Sequence, residues 1–315
     1  MARFDQRAAA ARVFRRVGAE ATALRLEWEV NRDAATRARL STALLDLARR
    51  GTPAAEARQA LEIIAGYSVP MARSESLTVA RSAGTLGRAA QSAQWFTALA
   101  RGGTLSSGDL VAWGDAEAAL GRWANAARTY RRGTTGSNAG RAAYLAARAD
   151  LRGGQSTNAI SQLNRIPARF PNDTFAAGTA LYLLGDLALD AGRIDSTRRL
   201  FRRIVADYPS SEYAERAALI APLIAFGNGE YATTRRELET ALSGRLLVGF
   251  AADAGRYWLA RSAAALGDTA TANGHFRTLI GLGPENYYAL RAAARLGVSP
   301  WTAAAQLPTV SAPRD

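Results

Sequence analysis

Residues 184–209 read LGDLALDAGRIDSTRRLFRRIVADYP. Leu184 and Gly185 lie in an apolar segment, Gly192 interrupts it, and Thr197, Phe201 and Ile204 then return at steps of three and four before Pro209. Apolar residues at that spacing fall on one face of a helix. A glycine between two such segments can enter the left-handed region, closing the first helix and letting the chain reverse. Proline lacks the amide proton a helix interior needs and stops the second segment. The stretch therefore predicts two helices packed face to face.

Working outward, the same punctuation recurs at Gly121, Gly154, Gly192, Gly229 and Gly267, separated by 33, 38, 37 and 38 residues, with weaker candidates at Gly51 and Gly87. Aligned on these glycines, other positions match. Seven residues earlier stand Ala80, Gly114, Ala147, Gly185 and Ala260; five residues later stand Ser92, Ala126, Ala159, Thr197, Thr234 and Ala272. Small residues on both helices allow close backbone approach. Nine residues later come Phe96, Tyr130, Leu163, Phe201, Leu238 and Phe276, large side chains that fill the space left by the small ones. Leu99, Ile166, Ile204, Ala241 and Leu279 follow at twelve, and Pro171, Pro209 and Pro284 at seventeen. A repeat of this length is one helical hairpin, whose apolar face only the next hairpin can cover.

This order of small residue, glycine turn, small residue, aromatic, aliphatic and proline resembles the tetratricopeptide repeat. The resemblance is good over residues 105–297 and loose over 32–101, where Pro53 follows Gly51 and the later offsets blur. It implies an all-α fold, a right-handed solenoid of helical hairpins forming an α-α superhelix. The expected organisation is an N-terminal helical arm over 1–101, a linker over 102–108 (GGTLSSG), a regular array over 109–297 and a tail or linker over 298–315. Segment 286–296 has no partner helix and should cap the array. Pro222 takes the small-residue place in its hairpin and is expected to kink the helix.

Composition fits and narrows the chemistry. Alanine makes up roughly a fifth of the 315 residues and is the strongest helix former. Forty basic residues against 27 acidic give a net charge of +13, and every one of the forty is arginine. Without lysine there is no Walker-type phosphate lysine and no Schiff base. Without cysteine there is no thiol nucleophile, disulfide or cysteine-based zinc site, and His275 is the sole histidine. No catalytic residue, cofactor or metal is expected. Met1 leads into arginine-studded sequence rather than an apolar signal segment. The most apolar run, 217–226, contains Pro222 and falls short of the roughly 20 residues a transmembrane helix needs.

A second resemblance is narrower. Arg256-Tyr257-Trp258-Leu259-Ala260-Arg261, then Leu266-Gly267-Asp268, His275-Phe276 and Asn286-Tyr287-Tyr288-Ala289-Leu290-Arg291-Ala292-Ala293 through Leu296-Gly297, is similar to the closing segment of the superhelical domain of soluble lytic murein transglycosylases. The similarity spans about 45 residues. It implies a periplasmic, peptidoglycan-directed scaffold that precedes a lysozyme-like catalytic domain, which would begin where this chain stops. Glu75, in Ser74-Glu75-Ser76 with Ser82 following, superficially matches that domain's acid motif. Its spacing to Ser82 is too short and the continuation is missing, so it is expected to belong to a hairpin. Without this resemblance the chain reads as a stand-alone protein-interaction adaptor, and a cytoplasmic location follows.

The remaining candidates come from the register. Helices that open each hairpin line the concave face of such arrays, and ten residues before the glycines stand Tyr144, Tyr182, Leu219 and Tyr257. Arg141, Arg148, Arg216 and Arg261 lie one turn away on the same face. Guanidinium forks and phenol rings suit an anionic, partly flat ligand, either a peptidoglycan strand with stem-peptide carboxylates or an acidic peptide segment of a protein. The alternative is that the tyrosines pack against the neighbouring repeat. His275 has no ligand-spaced neighbour and is expected to be packed or at the surface. The run Arg198-Arg199-Leu200-Phe201-Arg202-Arg203, with Asp195 and Asp207 on either side, reads as a solvated helix face rather than a nucleic-acid contact.

Overall fold

The computed structural model describes residues 2–299 and Trp301. Most of the tail or linker expected over 298–315 lies outside the described residues. Among those described there are helices and turns and no strand. The helices are α1 (Ala2–Arg16), α2 (Glu20–Val30), α3 (Ala34–Arg50), α4 (Ala54–Gly66), α5 (Arg73–Thr85), α6 (Ala89–Arg101), α7 (Ser107–Ala119), α8 (Trp123–Arg132), α9 (Ala139–Arg152), α10 (Ser156–Arg169), α11 (Thr174–Asp190), α12 (Ile194–Asp207), α13 (Ala214–Gly227), α14 (Tyr231–Ser243), α15 (Gly249–Ala265), α16 (Thr269–Ile280) and α17 (Tyr287–Leu296). They group into two compact units that divide between Gln162 and Leu163, within α10.

In the first unit α1 packs on α2, α3 on α4, α5 on α6 and α7 on α8. The turn glycines Gly51, Gly87 and Gly121 take φ of 71°, 77° and 70°. Gly18, not singled out from the sequence, does the same at 79° between α1 and α2. The N-terminal hundred residues thus use the same device as the rest. Segment 102–106 is the short connection from α6 to α7. It is tied down by Arg73, whose guanidinium donates to the carbonyls of Leu99 (2.8 Å) and Thr104 (2.9 Å). Leu105 packs with Phe96, Leu99 and Trp113.

In the second unit α11 packs on α12, α13 on α14 and α15 on α16, with α17 closing against α15 and α16. Gly192, Gly229 and Gly267 turn the three hairpins at φ of 68°, 79° and 83°. At such φ a side chain would meet the backbone, which is why glycine stands there. Helices α10, α12 and α16 end before Pro171, Pro209 and Pro284. Helix α13 continues through Pro222 to Gly227.

Small and large residues interlock as the offsets require. A Cβ built on Gly185 would lie 2.4 Å from Phe201, and one on Gly114 2.4 Å from Tyr130, so in these hairpins only glycine fits under the ring. Phe96, Phe201 and Leu238 are fully buried and Phe276 nearly so. A feature the offsets did not reveal is the hydroxyl at the small position of the second helix. Ser92 donates to the carbonyl of Ala80 (2.8 Å), Thr197 to Gly185 (3.2 Å) and Thr234 to Pro222 (3.1 Å). The residue that permits close approach also bonds across it.

Ion pairs join successive hairpins in the second unit. Arg198 of α12 grips Glu230 at the head of α14 (Nη2 to Oε2, 2.6 Å), and Arg235 of α14 reaches Asp268 at the head of α16 (2.9 Å). Each arginine stands six residues after its glycine and each acid one residue after the next. Arg202 adds a pair to Glu237. The expectation of a solvated arginine face on α12 is therefore corrected at Arg198, which is buried, because the acids of the next hairpin come over to meet it.

Candidate functional site

In the first unit the register places Arg141, Tyr144 and Arg148 on α9, with Tyr144 buried and both arginines exposed. The nearby Tyr130 hydroxyl donates to Asp115 (2.6 Å). Burial, then that bond, push the Tyr130 phenol far above its ordinary pKa, while Arg148 and Arg141 act weakly the other way. Asp115 was not among the residues expected from the sequence.

In the second unit Tyr182 of α11 is buried among Phe201 (ring centroids 5.4 Å apart) and Tyr213 (4.1 Å), both nearly parallel to it. Arg216 of α13 is exposed and lays its guanidinium 5.4 Å from the Tyr182 ring. The geometry thus joins Tyr182 to Arg216, and adds Asp186, one turn along α11. Burial pushes the Asp186 carboxyl up and Arg216 draws it back. For Tyr182, burial and then the Asp186 charge raise the phenol pKa.

Two hairpins later Tyr257 of α15 is 2% exposed and touches Trp258, Phe276 and Tyr288, with centroids 5.6, 5.9 and 5.6 Å away. Arg261 lies 5.4 Å from both the Trp258 and the Phe226 rings. Arg291 and Arg295 of α17 come to the same phenol. Burial by itself would raise the Tyr257 pKa, but Arg295, Arg261 and Arg291 outweigh it and hold it below the ordinary value. The hydroxyls of Tyr182 and Tyr257 are both buried without a hydrogen-bond partner.

The tyrosines therefore pack against neighbouring helices, as the alternative reading had it, while the arginines stand over or beside their rings. Missing from the sequence reading were the acids Asp115 and Asp186, the stacked Tyr213, and Arg291 and Arg295. Asp115 and Asp186 could have been found: they occupy the place, six residues before the glycine, that Arg148 and Arg261 occupy in other hairpins. Charge at that place changes sign along the chain.

Elsewhere Glu75 is accounted for, since its carboxylate accepts from the backbone amide of Ala72 (2.7 Å) at the start of α5. Burial pushes His275 below its ordinary pKa, and with Arg236, Glu239 and Arg256 it lines an open cleft of about 550 Å³. Among the described residues no three His, Cys, Asp or Glu side chains are grouped to hold a metal. A second cleft, of about 430 Å³, runs between α12, α13 and α14 over Val205, Ala218, Pro222 and Ala241, with Arg202 and Glu237 at its edge. Among the described residues no helix is long and apolar enough to cross a membrane.

The family description "Tetratricopeptide repeat" matches residues 141–173 and 179–211. No match was found among curated proteins. Among solved structures, the chain is similar to the C-terminal part of a repeat-containing protein of the same kind from Cytophaga hutchinsonii at 14% identity, covering 70% of this chain and 80% of that one with a TM-score of 0.46. It is also similar to the apo form of RapI (12%, 82% and 81%, 0.48) and to a tetratricopeptide repeat protein from Parabacteroides merdae (12%, 81% and 97%, 0.44).

Proposed function

We propose that the chain is a binding scaffold whose second unit takes an extended acidic segment of a protein partner, contacted by Arg216 beside Tyr182 and by Arg261 beside Tyr257. The observation that carries this is repetition. Helices α11, α13 and α15 each open a hairpin and together present aromatic rings with guanidiniums 5.4 Å away, at Tyr182 and again at Phe226 and Trp258. Rings of this kind hold an arginine in place without neutralising it, leaving its fork free to take a carboxylate. On this reading Arg141, Tyr144 and Arg148 of α9 are the residues of the first unit at corresponding places in the register.

The test is binding of a fluorescein-labelled peptide of alternating acidic and small residues, followed by anisotropy. Arg216→Gln should weaken it several-fold and added salt should weaken both proteins. Saturable binding that Arg216→Gln leaves unchanged would remove Arg216 from the proposal.

A second reading rests on the similarity of residues 256–297 to the closing segment of murein transglycosylase superhelical domains. Here the acidic ligand is a peptidoglycan strand, and the location is periplasmic. Retention on purified insoluble peptidoglycan, lost in an Arg148→Ala plus Arg261→Ala variant, would favour it; no retention by the unaltered protein would dismiss it.

A further inference from the structure

The two tyrosine sites of the second unit differ in one respect that bears on ligand choice. At Tyr182 the guanidinium of Arg216 has an acid, Asp186, beside it. At Tyr257 three guanidiniums come to the phenol, while Asp253, one turn earlier on α15, is engaged by Arg256 (3.6 Å) and Asn286 (2.9 Å). Arg261 comes from α15, one turn beyond Tyr257, and Arg291 and Arg295 come from adjacent turns of one face of α17. Arg261 itself stands where Asp186 does, six residues before the turn glycine, so a cation occupies the acid's place. None of the three arginines makes an ion pair with a described residue, whereas Arg198, Arg202, Arg203, Arg235 and Arg256 of the same unit all do.

At the centre of this cluster the Tyr257 hydroxyl is buried and has no hydrogen-bond partner. A buried phenol ordinarily finds an acceptor, because leaving the group unmade costs about 1–3 kcal/mol. The unmet requirement is for an acceptor, and the surrounding charge asks that the acceptor be anionic. Three like charges converging without relief repel one another, and a bound anion removes that repulsion.

The margin of the cluster is apolar and open. Tyr287 is 53% exposed and Phe250 65%, and the rings run in contact from Tyr257 through Tyr288 to Phe250, the last two 5.1 Å apart. Leu290 lies exposed on α17 beside Arg291. A free inorganic oxyanion would use only the cationic centre; a peptide carrying a carboxylate next to a large apolar side chain would use the centre and the margin together.

We propose that Tyr257, Arg261, Arg291 and Arg295 form a carboxylate-binding site that anchors an acidic side chain of a peptide partner, with Tyr287 and Phe250 holding an adjacent apolar residue. The site rests on the scaffold reading above and extends it to α17. The phenol hydroxyl donates to one carboxylate oxygen while the guanidiniums take both. Helix α17 thus caps the last hairpin and also supplies two of the four binding groups.

The experiment uses the full chain and two probes, inorganic phosphate and a labelled acetylated peptide, Asp-Glu-Phe-Asp-Glu amide. Arg291→Gln with Arg295→Gln should weaken peptide binding by about tenfold or more, as expected for loss of charge-assisted bonds. Arg199→Gln with Arg277→Gln, which removes equal charge from exposed positions on α12 and α16, should leave it nearly unchanged. Tyr257→Phe keeps the ring and should cost several-fold. Circular dichroism and Tm of each variant confirm the fold. Equal loss in both double variants would reduce the site to general charge attraction and overturn it. Binding of phosphate without peptide would leave only a small-oxyanion site and overturn the peptide assignment. Because Arg216→Gln reports on α13 and the α17 pair on this site, a loss confined to Arg216→Gln would sink this inference alone, and a loss confined to the α17 variant would sink the role of Arg216 alone.

Discussion

Tyr182 and Tyr257 occupy the same place in their hairpins, ten residues before the turn glycine, and both are buried with an unpartnered hydroxyl. Their phenols nevertheless shift in opposite directions. Burial and Asp186 raise Tyr182, whereas at Tyr257 the effect of burial is overcome by Arg295, Arg261 and Arg291. Repeat register fixes where a side chain stands and how deeply it is buried. The sign of the field around it is set by non-repeating residues, here Asp186 on the same helix in one case and the terminal helix in the other.

The hardest way to break this equivalence is to remove the ring under each tyrosine. Phe201→Ala and Phe276→Ala should each cost about 3–5 kcal/mol in chemical denaturation, the usual loss for a buried aromatic. A cost below about 1 kcal/mol at one of them would show that the two hairpins do not share a packing scheme. The small position then separates the regions. Gly185→Ala forces a methyl to within 2.4 Å of Phe201 and should cost about 1–3 kcal/mol, while Ala260 already carries that methyl above Phe276. Equal stability of Gly185→Ala and the unaltered chain would show that the Phe201 ring moves aside freely.

A smaller effect is expected at the interhelical hydroxyl. Thr197→Val keeps the shape and removes the bond to the Gly185 carbonyl, for about 1 kcal/mol. The equivalent residue on α16 is Ala272, which has no such bond to lose.

The smallest effect on stability, and the sharpest on the comparison, is in tyrosine titration followed by carbon NMR. Asp186→Asn should bring Tyr182 down toward the ordinary value of 10.0, though Arg216 and Tyr213 also face it. Arg291→Gln with Arg295→Gln should bring Tyr257 up, with Arg261 and Tyr288 remaining beside it. The stability signs follow. A phenol raised in the folded state contributes stability that is lost as pH climbs through the folded pKa, so Tyr182 weakens the fold above about pH 10. A phenol lowered in the folded state releases its proton first when folded, so Tyr257 adds stability as pH rises through its folded pKa toward about 10, below the window in which Tyr182 loses it. Parallel titration of the two phenols would contradict the opposed fields.

Much of this was legible in the sequence. The glycine period, the small residues at seven before and five after, and the rings at nine after were enough to place Gly192, Gly185, Thr197 and Phe201 in one hairpin, because those positions answer to sterics that act within a single repeat. The resemblance over 32–101 is loose because Pro53 interrupts the offsets after Gly51, although the turns at Gly51 and Gly87 use the same left-handed glycine. The arginine run on α12 hides the burial of Arg198, because its partner Glu230 lies in the next hairpin, 32 residues on, where no local pattern points to it.

The amino-acid sequence by itself determined the helical hairpin, its period and the burial of its large residues, since these follow from backbone sterics and apolar spacing that neighbouring residues carry with them. It also placed Tyr182 and Tyr257 at the same station, ten residues before the turn glycine, and Arg216 and Arg261 thirteen and six before theirs. Only the tertiary structure decided that Asp186 stands beside Arg216 and that Arg291 and Arg295 fold back onto Tyr257. Electrostatic environment is a sum over whatever comes near in space: Asp186 and Arg261 share a helix with their tyrosines, but Arg216, Arg291 and Arg295 arrive from other helices.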